Sequence, residues 1–158
     1  MNERAFEVDP VVKEVTVKCP QEEAFRIFTE GMGGWWPADR YSIGQERVVE
    51  CGMQPRPAGL LYELQDDGRR SVWGTIQVWE PPVRVQFSWH PGREPESAQT
   101  VEVTFRTAEQ GTRVRLEHRG WERLGEQAQE VRDGYEGGWE HVFRECFVQA
   151  ANRKGSGK

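Results

Sequence analysis

The sequence predicts an α+β fold, with an antiparallel sheet of about six to seven strands and one long C-terminal helix. Three observations support this prediction. Short segments that alternate apolar and polar residues are joined by turn signals, which is typical of an antiparallel meander. Two short helices are indicated after the first of these segments, and residues 131–152 have the spacing of an amphipathic helix. A chain of 158 residues is expected to form a single domain, with an ordered core from about residue 8 to residue 152.

The first strand is expected at residues 11–18, where valines alternate with polar residues. Pro20 can begin a helix, because the first turn does not need its missing N–H. The apolar side of that short helix consists of Ala24, Phe25, Ile27 and Phe28. Glycines at positions 31, 33 and 34 then break the helix, which is expected to restart for one turn.

Six further strands are indicated by alternation between turn signals, at residues 47–51, 60–65, 71–80, 83–90, 99–107 and 112–119. Alternation points Trp89 and His118 toward the core. In strand 71–80 the same rule places Trp73 and Trp79 on the opposite face. An antiparallel sheet of this kind has one covered face, and only the C-terminal helix is long enough to cover it.

The C-terminal helix has an apolar stripe on one side, formed by Trp139, Val142, Phe143, Cys146, Phe147 and Ala150. Its first half contains three glycines, Gly134, Gly137 and Gly138, and each costs about 1 kcal/mol of helix stability against alanine. One explanation is that this half of the helix borders a hollow. The alternative is a poor helix start that frays.

Composition excludes several classes of function. The net charge of -5 argues against a nucleic-acid partner or an anionic membrane surface, since both require clustered Lys and Arg. No apolar run approaches the roughly 20 residues that span a bilayer, and the N-terminus has no signal-peptide core. The three cysteines form no C-x-x-C pair, so free thiols and a cytoplasmic location are expected. Neither a zinc-binding His spacing nor a nucleotide-binding glycine motif occurs, so no metal and no cofactor are expected.

Four motifs carry a family resemblance: W-G-x-x-x-x-W-E-P-P at residues 73–82, F-S-W at 87–89, T-R-V-R-L-E-H-R-G-W at 112–121 and D-G-Y-E-G-G-W at 133–139. Together, and in this order, they resemble the SRPBCC superfamily, in the branch named after the activator of heat shock protein 90 ATPase. The resemblance implies a helix-grip fold, in which a curved sheet wraps around the C-terminal helix. It also implies a cavity between them that often holds an apolar ligand. Co-chaperone activity belongs to members with an additional domain that this sequence lacks, so that role is not expected here.

Aromatic and polar residues are expected to converge on this cavity. The predicted ligand-binding residues are Trp36, Tyr62, Trp89, His118, Tyr135, Gly138 and Trp139. His118 is the inward polar group best placed to bind a ligand or to act as an acid or base, although a core histidine with backbone partners is the plainer interpretation. Glu63 neighbours Tyr62 and is expected on the opposite face, as a solvated carboxylate. The alternative is a buried carboxylate with a raised pKa, which no other residue supports.

Three functions follow from these expectations. The first is binding of a small hydrophobic or aromatic molecule, by a monomer or homodimer. The second is an enzyme of the cyclase or hydrolase kind that uses the same cavity; His118 with Tyr135 or Tyr62 is the only pair that could act, and no catalytic residue is assigned. The third is a stress- or chaperone-associated interaction protein, with Trp73 and Trp79 as an exposed apolar patch.

Overall fold

The computed structural model describes residues 8–156. Its seven strands form one antiparallel sheet in the order β1-β7-β6-β5-β4-β3-β2, which curls into a half-barrel. This confirms the predicted fold class. Each predicted strand is present, and its ends lie within two residues of the predicted ends. The strands are β1 (Val11–Val17), β2 (Val48–Met53), β3 (Leu60–Gln65), β4 (Arg70–Glu80), β5 (Arg84–Trp89), β6 (Gln99–Ala108) and β7 (Gly111–Arg119).

Two short helices follow β1, as predicted: α1 (Gln21–Phe28) and α2 (Met32–Trp35). Helix α1 begins directly after Pro20 and has two glutamates in its first turn, the end of a helix where negative charge is favourable. Its buried side consists of Ala24, Phe25 and Phe28. These side chains lie against the concave face of the sheet.

The C-terminal helix has three parts. These parts are α3 (Ala128–Trp139), a π-helical segment (Glu140–Phe147) and α4 (Val148–Ser156). A 3-10 segment (Trp121–Gln127) precedes α3. The helix therefore starts three residues before the predicted start at residue 131. Its first half is a regular helix despite the glycines.

The π-helical segment changes which residues the helix buries. Val142, Phe143 and Phe147 are buried as predicted, but Cys146 is only partly buried. The predicted stripe ended at Ala150, whereas the structure buries Ala151 completely. A π-turn holds more residues than an α-turn, so each residue after it is rotated relative to an ideal α-helix. This rotation explains the shift by one position.

Phenylalanines fill one end of the space between helix and sheet. Phe28 of α1 lies at the centre of a cluster with Phe105, Phe143 and Phe147, at ring-centroid distances of 6.1, 6.4 and 5.4 Å. Phe25 extends the cluster to Phe105 at 5.1 Å. These are edge-to-face contacts of the kind that stabilise aromatic cores. Packed aromatic rings therefore occupy this end of the space.

A partly buried cluster of charges joins the C-terminal helix to the edge strand β1. Lys13, a residue that is 8% exposed, donates from its ammonium group to Glu136 at 2.7 Å and to Glu140 at 2.9 Å. Burial alone would lower the pKa of Lys13, but the two carboxylates raise it above its ordinary value. The two contacts hold the middle of the C-terminal helix against β1.

Strand β4 contains two bulges that overturn the prediction for its tryptophans. Trp73 is an extra residue between the pairs Leu61–Gly74 and Tyr62–Val72, and Gln77 is skipped in the pairing with β5. A bulge reverses the alternation of the residues around it. Trp73 is therefore 1% exposed and faces inward, and the Trp79 ring packs on Phe25 at 5.2 Å. The expected exposed patch of Trp73 and Trp79 is wrong.

Candidate functional site

The other end of the space between helix and sheet is open. A cavity of about 370 Å³ lies between α3, the loop after α2 and strands β4 and β5. This volume is in the lower part of the range for small-molecule sites, which is about 300–1,000 Å³. Its lining consists of Trp36, Arg40, Tyr41, Ser42, Ile43, Trp73, Trp89, Pro91, Val131, Gly134, Tyr135, Gly138, Trp139 and Val142.

Four tryptophans, Trp36, Trp73, Trp89 and Trp139, form a group that we call the Trp cage. Trp36 lies at 5.3, 5.8 and 5.9 Å from the ring centroids of the other three, in the order given. Trp89 lies 5.8 Å from Trp73 and 5.7 Å from Trp139. Each ring is held by at least two others and comes from a different element of the fold. The cage is therefore a rigid aromatic wall.

Every indole N–H of the Trp cage is bonded to the protein. Trp36 donates to the Tyr41 carbonyl at 2.8 Å and Trp73 donates to the Glu63 carboxylate at 2.9 Å. The indole of Trp89 donates to the Tyr135 hydroxyl at 3.0 Å, and that of Trp139 donates to His118 Nδ1 at 3.0 Å.

A buried polar group without a partner is costly, so these bonds fix the orientation of each ring. The cage consequently presents aromatic carbon to the cavity. Its indoles have no hydrogen-bond donor left for a ligand.

Tyr135 supplies a polar group in this wall. Its hydroxyl oxygen accepts from Trp89, and within residues 8–156 its own hydrogen has no acceptor. Burial raises the pKa of Tyr135, although the Trp89 N–H and the positive charge of Arg93 act in the opposite direction. The hydroxyl is therefore protonated at neutral pH and can donate one hydrogen bond to a ligand.

Two of the three helix glycines border the cavity. Gly134 and Gly138 are part of its lining, whereas Gly137 is exposed to solvent elsewhere on the helix. A Cβ atom at Gly138 would lie 3.7 Å from Tyr41 Cε1, and one at Gly134 or Gly137 would meet nothing within 4 Å. Two glycines thus lie where the hollow was predicted, and the helix around them is regular.

Glu63 fastens the loop at the cavity mouth. Its carboxylate accepts from the backbone N–H groups of Ile43 and Gly44, both at 2.8 Å. It also accepts from Gln65 Nε2 and from Trp73 Nε1, both at 2.9 Å. Burial would raise the pKa of Glu63, but these four donors lower it below its ordinary value. The prediction of a solvated carboxylate is wrong, because Glu63 is completely buried.

Tyr62 does not line the cavity, which corrects its predicted placement. Strand β3 turns Leu61, Glu63 and Gln65 inward, so Tyr62 lies on the outer face. There its hydroxyl donates to Glu50, and the Arg70 guanidinium lies 5.3 Å from its ring centroid. The predicted alternation of the strand is correct, but the prediction exchanges its inner and outer faces.

His118 is buried behind the cage and is not part of the lining, which corrects its placement as well. Its Nδ1 accepts from Trp139, so its Nε2 carries the hydrogen and donates to Gln99 Oε1 at 3.1 Å. The ring stacks on Trp121 at 4.0 Å. Burial lowers the pKa of His118 from 6.5 to about 3. Both nitrogens are occupied, so His118 is a core histidine whose partners are side chains.

This placement removes the acid–base pair expected for an enzyme. His118 lies 4.9 Å from Tyr135 between ring centroids, but it has no free nitrogen, and Tyr62 is on the other face of the sheet.

Within residues 8–156, no group of three or more His, Cys, Asp or Glu side chains could hold a metal ion. Over the same residues, no helix is long and apolar enough to cross a bilayer.

Residues 18–150 match the model of a family described as Activator of Hsp90 ATPase homolog 1-like protein. The chain belongs to this family. The match confirms the predicted resemblance to the SRPBCC superfamily and to this branch of it. No curated protein matches the chain at a significant level.

Several solved structures have a similar fold. The chain is 26% identical to CalC, a self-sacrificing resistance protein from Micromonospora echinospora, with a TM-score of 0.68 over 95% of this chain and 98% of CalC. It is 28% identical to Txn09, an anthrahydroquino-γ-pyrone synthase, with a TM-score of 0.63 over 91% of this chain and 97% of Txn09. A Bacillus halodurans protein, 19% identical with a TM-score of 0.65 over 91% and 97% of the two chains, shares the fold.

Sequence reasoning missed several residues of this site. Trp73 was placed outside because the bulge was not predicted, yet Gly74 gave a signal. A Cβ at Gly74 would lie 1.8 Å from the Ser88 carbonyl oxygen, so β4 and β5 touch there. A glycine inside a strand often marks a bulge or a close approach of two backbones. For Arg40 and the mouth loop around it, alternation gives no signal, because the loop has no regular structure.

Proposed function

We propose that the protein binds a small, flat, hydrophobic aromatic molecule in the cavity between α3 and the sheet. The observation that carries this proposal is the Trp cage, whose rings face the cavity while their N–H groups are bonded to the protein. Such a wall offers ring faces and edges to a ligand. An aromatic ligand gains about 0.5–1.5 kcal/mol from each well-placed ring contact, beyond the burial of its surface.

The expected affinity is micromolar. Burial of apolar surface contributes about 25 cal/mol per Å², so a ligand that buries about 400 Å² gains roughly 10 kcal/mol before the costs of association. Those costs are at least about 4 kcal/mol. Ring contacts with the cage and one hydrogen bond from Tyr135 add to the remainder, and a Kd of 1 μM corresponds to about 8.2 kcal/mol.

The relatives support an aromatic ligand. The synthase Txn09 is named after a product that contains a fused anthrahydroquinone ring system, and it is 28% identical to this chain. Because Txn09 is a synthase, the likeness alone favours catalysis as much as binding. In this chain, however, the histidine considered as an acid or base has no free nitrogen. Binding is therefore the function that the cavity supports best.

Calorimetric titration tests the proposal. We expect 2-naphthamide to bind with a Kd in the micromolar range. A straight-chain aliphatic amide with the same number of carbon atoms should bind at least about tenfold more weakly. The difference arises because only the fused rings can stack on the cage. A negative heat-capacity change should accompany binding of 2-naphthamide. Absence of binding by 2-naphthamide, or equal affinity for the two amides, would contradict the proposal.

A further inference from the structure

The mouth of the cavity carries one charged side chain. Among the lining residues that the structure describes, Arg40 alone has a charged side chain, and this side chain is exposed to solvent. The rest of the lining is aromatic, aliphatic, glycine or neutral polar. A ligand whose rings lie in the cage would therefore meet a single full charge as it leaves the cavity toward solvent.

The structure holds Arg40 in place without neutralising it. The turn before it is closed by the Arg40 and Tyr41 N–H groups, which donate to the Pro37 carbonyl at 3.1 and 2.9 Å. The Trp36 indole donates to the Tyr41 carbonyl and so ties this turn to the Trp cage. The guanidinium lies 5.7 Å from the Tyr41 ring centroid, within cation–π distance.

No carboxylate is paired with Arg40. Within residues 8–156 its guanidinium forms no ion pair, although Asp39 precedes it in the sequence. By contrast, Arg84, Arg119 and Arg132 are each paired with carboxylates of the protein. The donors of the Arg40 guanidinium are thus available to a ligand, and they have the planar geometry that matches a carboxylate.

We infer that the ligand is an aromatic acid, whose carboxylate or other ionised oxygen group binds Arg40 while its rings lie against the Trp cage. This inference rests on the proposed function and adds the charge of the ligand to it. The protein has a net charge of -5, so its overall field repels an anion. The Arg40 guanidinium at the mouth is the local positive charge that favours binding of an anionic ligand. The Tyr135 hydroxyl serves as the neutral donor for a second oxygen of the ligand.

Two probes of the same shape test the inference. 2-Naphthoate carries the anionic group, and 2-naphthamide replaces it with a neutral one. Calorimetry should give about fivefold tighter binding for 2-naphthoate with the unmodified protein, a size expected for one solvent-exposed charge pair. Raising the salt concentration should weaken 2-naphthoate and leave 2-naphthamide unchanged.

Two variants complete the experiment. Arg40→Gln should lower the preference for 2-naphthoate over 2-naphthamide from about fivefold to about onefold. Arg106→Gln is the matched control, because Arg106 is exposed, has no ion pair in the described part of the chain and lies outside the cavity lining. That variant should bind both probes like the unmodified protein.

The outcomes separate the inference from the proposed function. The inference is overturned, and the proposed function stands, if the unmodified protein binds 2-naphthamide as tightly as 2-naphthoate. The same holds if Arg40→Gln still binds 2-naphthoate more tightly than 2-naphthamide. If neither probe binds, both are overturned.

Discussion

Replacing Glu63 with alanine is expected to lower the free energy of unfolding by roughly 3 kcal/mol or more. The substitution removes the acceptor of four N–H groups, those of Ile43, Gly44, Gln65 and Trp73. A buried donor left without a partner costs about 1–3 kcal/mol, and some of these donors will find water once the loop moves. Urea denaturation followed by circular dichroism measures the change.

The same substitution should weaken ligand binding, since the loop that Glu63 holds contains Ile43 and Ser42 of the cavity lining. Glu46→Ala is the control, because Glu46 lies in the same loop region but is exposed to solvent. It should change stability by about 0.5 kcal/mol or less. Equal stability of Glu63→Ala and Glu46→Ala would show that Glu63 does not fasten the mouth.

The stability of the protein is expected to fall as the pH drops from 6.5 toward 3 because of His118. Burial depresses the pKa of His118 from 6.5 to about 3 in the folded protein. Above pH 6.5 the ring is neutral in both the folded and the unfolded state, so its contribution is fully present. Below that value the unfolded chain binds a proton that the folded protein does not bind, and folding becomes less favourable.

The slope identifies the group. One proton bound only by the unfolded state changes the free energy of unfolding by about 1.4 kcal/mol per pH unit, and the full change approaches roughly 5 kcal/mol. Between pH 6 and pH 5, His118→Asn should reduce the slope by nearly the full value of about 1.4 kcal/mol per pH unit. Ordinary carboxylates titrate below this pH range. His141→Asn, at a partly exposed position, is the control and should keep most of the slope. An unchanged slope in His118→Asn would mean that His118 is not held neutral.

Most of the fold was predictable from local patterns. Strands such as β6 and β7 alternate without interruption, and Val101, Val103, Val114 and Leu116 are all buried as expected. The periodicity of the C-terminal helix also predicted the burial of Trp139, Val142, Phe143 and Phe147. These elements have one apolar face, so their orientation follows from burial alone.

The errors occur where hydrogen bonding or irregular backbone decides the orientation. In β3 the inward face contains Glu63, which accepts from the mouth loop and from Trp73, and Gln65, which donates to Glu63. Hydrophobicity alone favours the opposite orientation, which is why Tyr62 was placed in the cavity. In β4 the two bulges reverse the alternation at Trp73 and Trp79. Neither a long-range hydrogen bond nor a bulge can be derived from the spacing of apolar residues.

The candidate site was predicted in part for the same reason. Trp36, Trp89, Tyr135, Gly138 and Trp139 lie in the cavity lining, whereas His118 and Tyr62 do not. The lining residues that were predicted correctly lie on β5 and α3, apart from Trp36, which belongs to the adjacent pair Trp35 and Trp36. The polar groups were assigned on residue type, but the structure uses His118 to orient Trp139. The role of the cavity-lining residues in ligand binding stays a prediction.

Filling the cavity at Gly138 tests the central claim, that the space beneath α3 is the ligand site. The first side-chain carbon fits at this position, 3.7 Å from Tyr41 Cε1, and Gly138 lines the cavity, so the remaining atoms of a leucine would occupy its volume. Leucine is also a better helix former than glycine by about 0.8 kcal/mol, so the helix should be retained. Gly137→Leu is the matched control, because Gly137 is exposed and lies outside the lining.

The deciding measurement is the Kd of 2-naphthamide for Gly138→Leu, determined by calorimetry beside Gly137→Leu and the unmodified protein. We expect Gly138→Leu to bind at least about tenfold more weakly, a loss of about 1.4 kcal/mol or more, while Gly137→Leu binds as the unmodified protein does. Unchanged affinity in a folded Gly138→Leu variant would show that the ligand binds elsewhere.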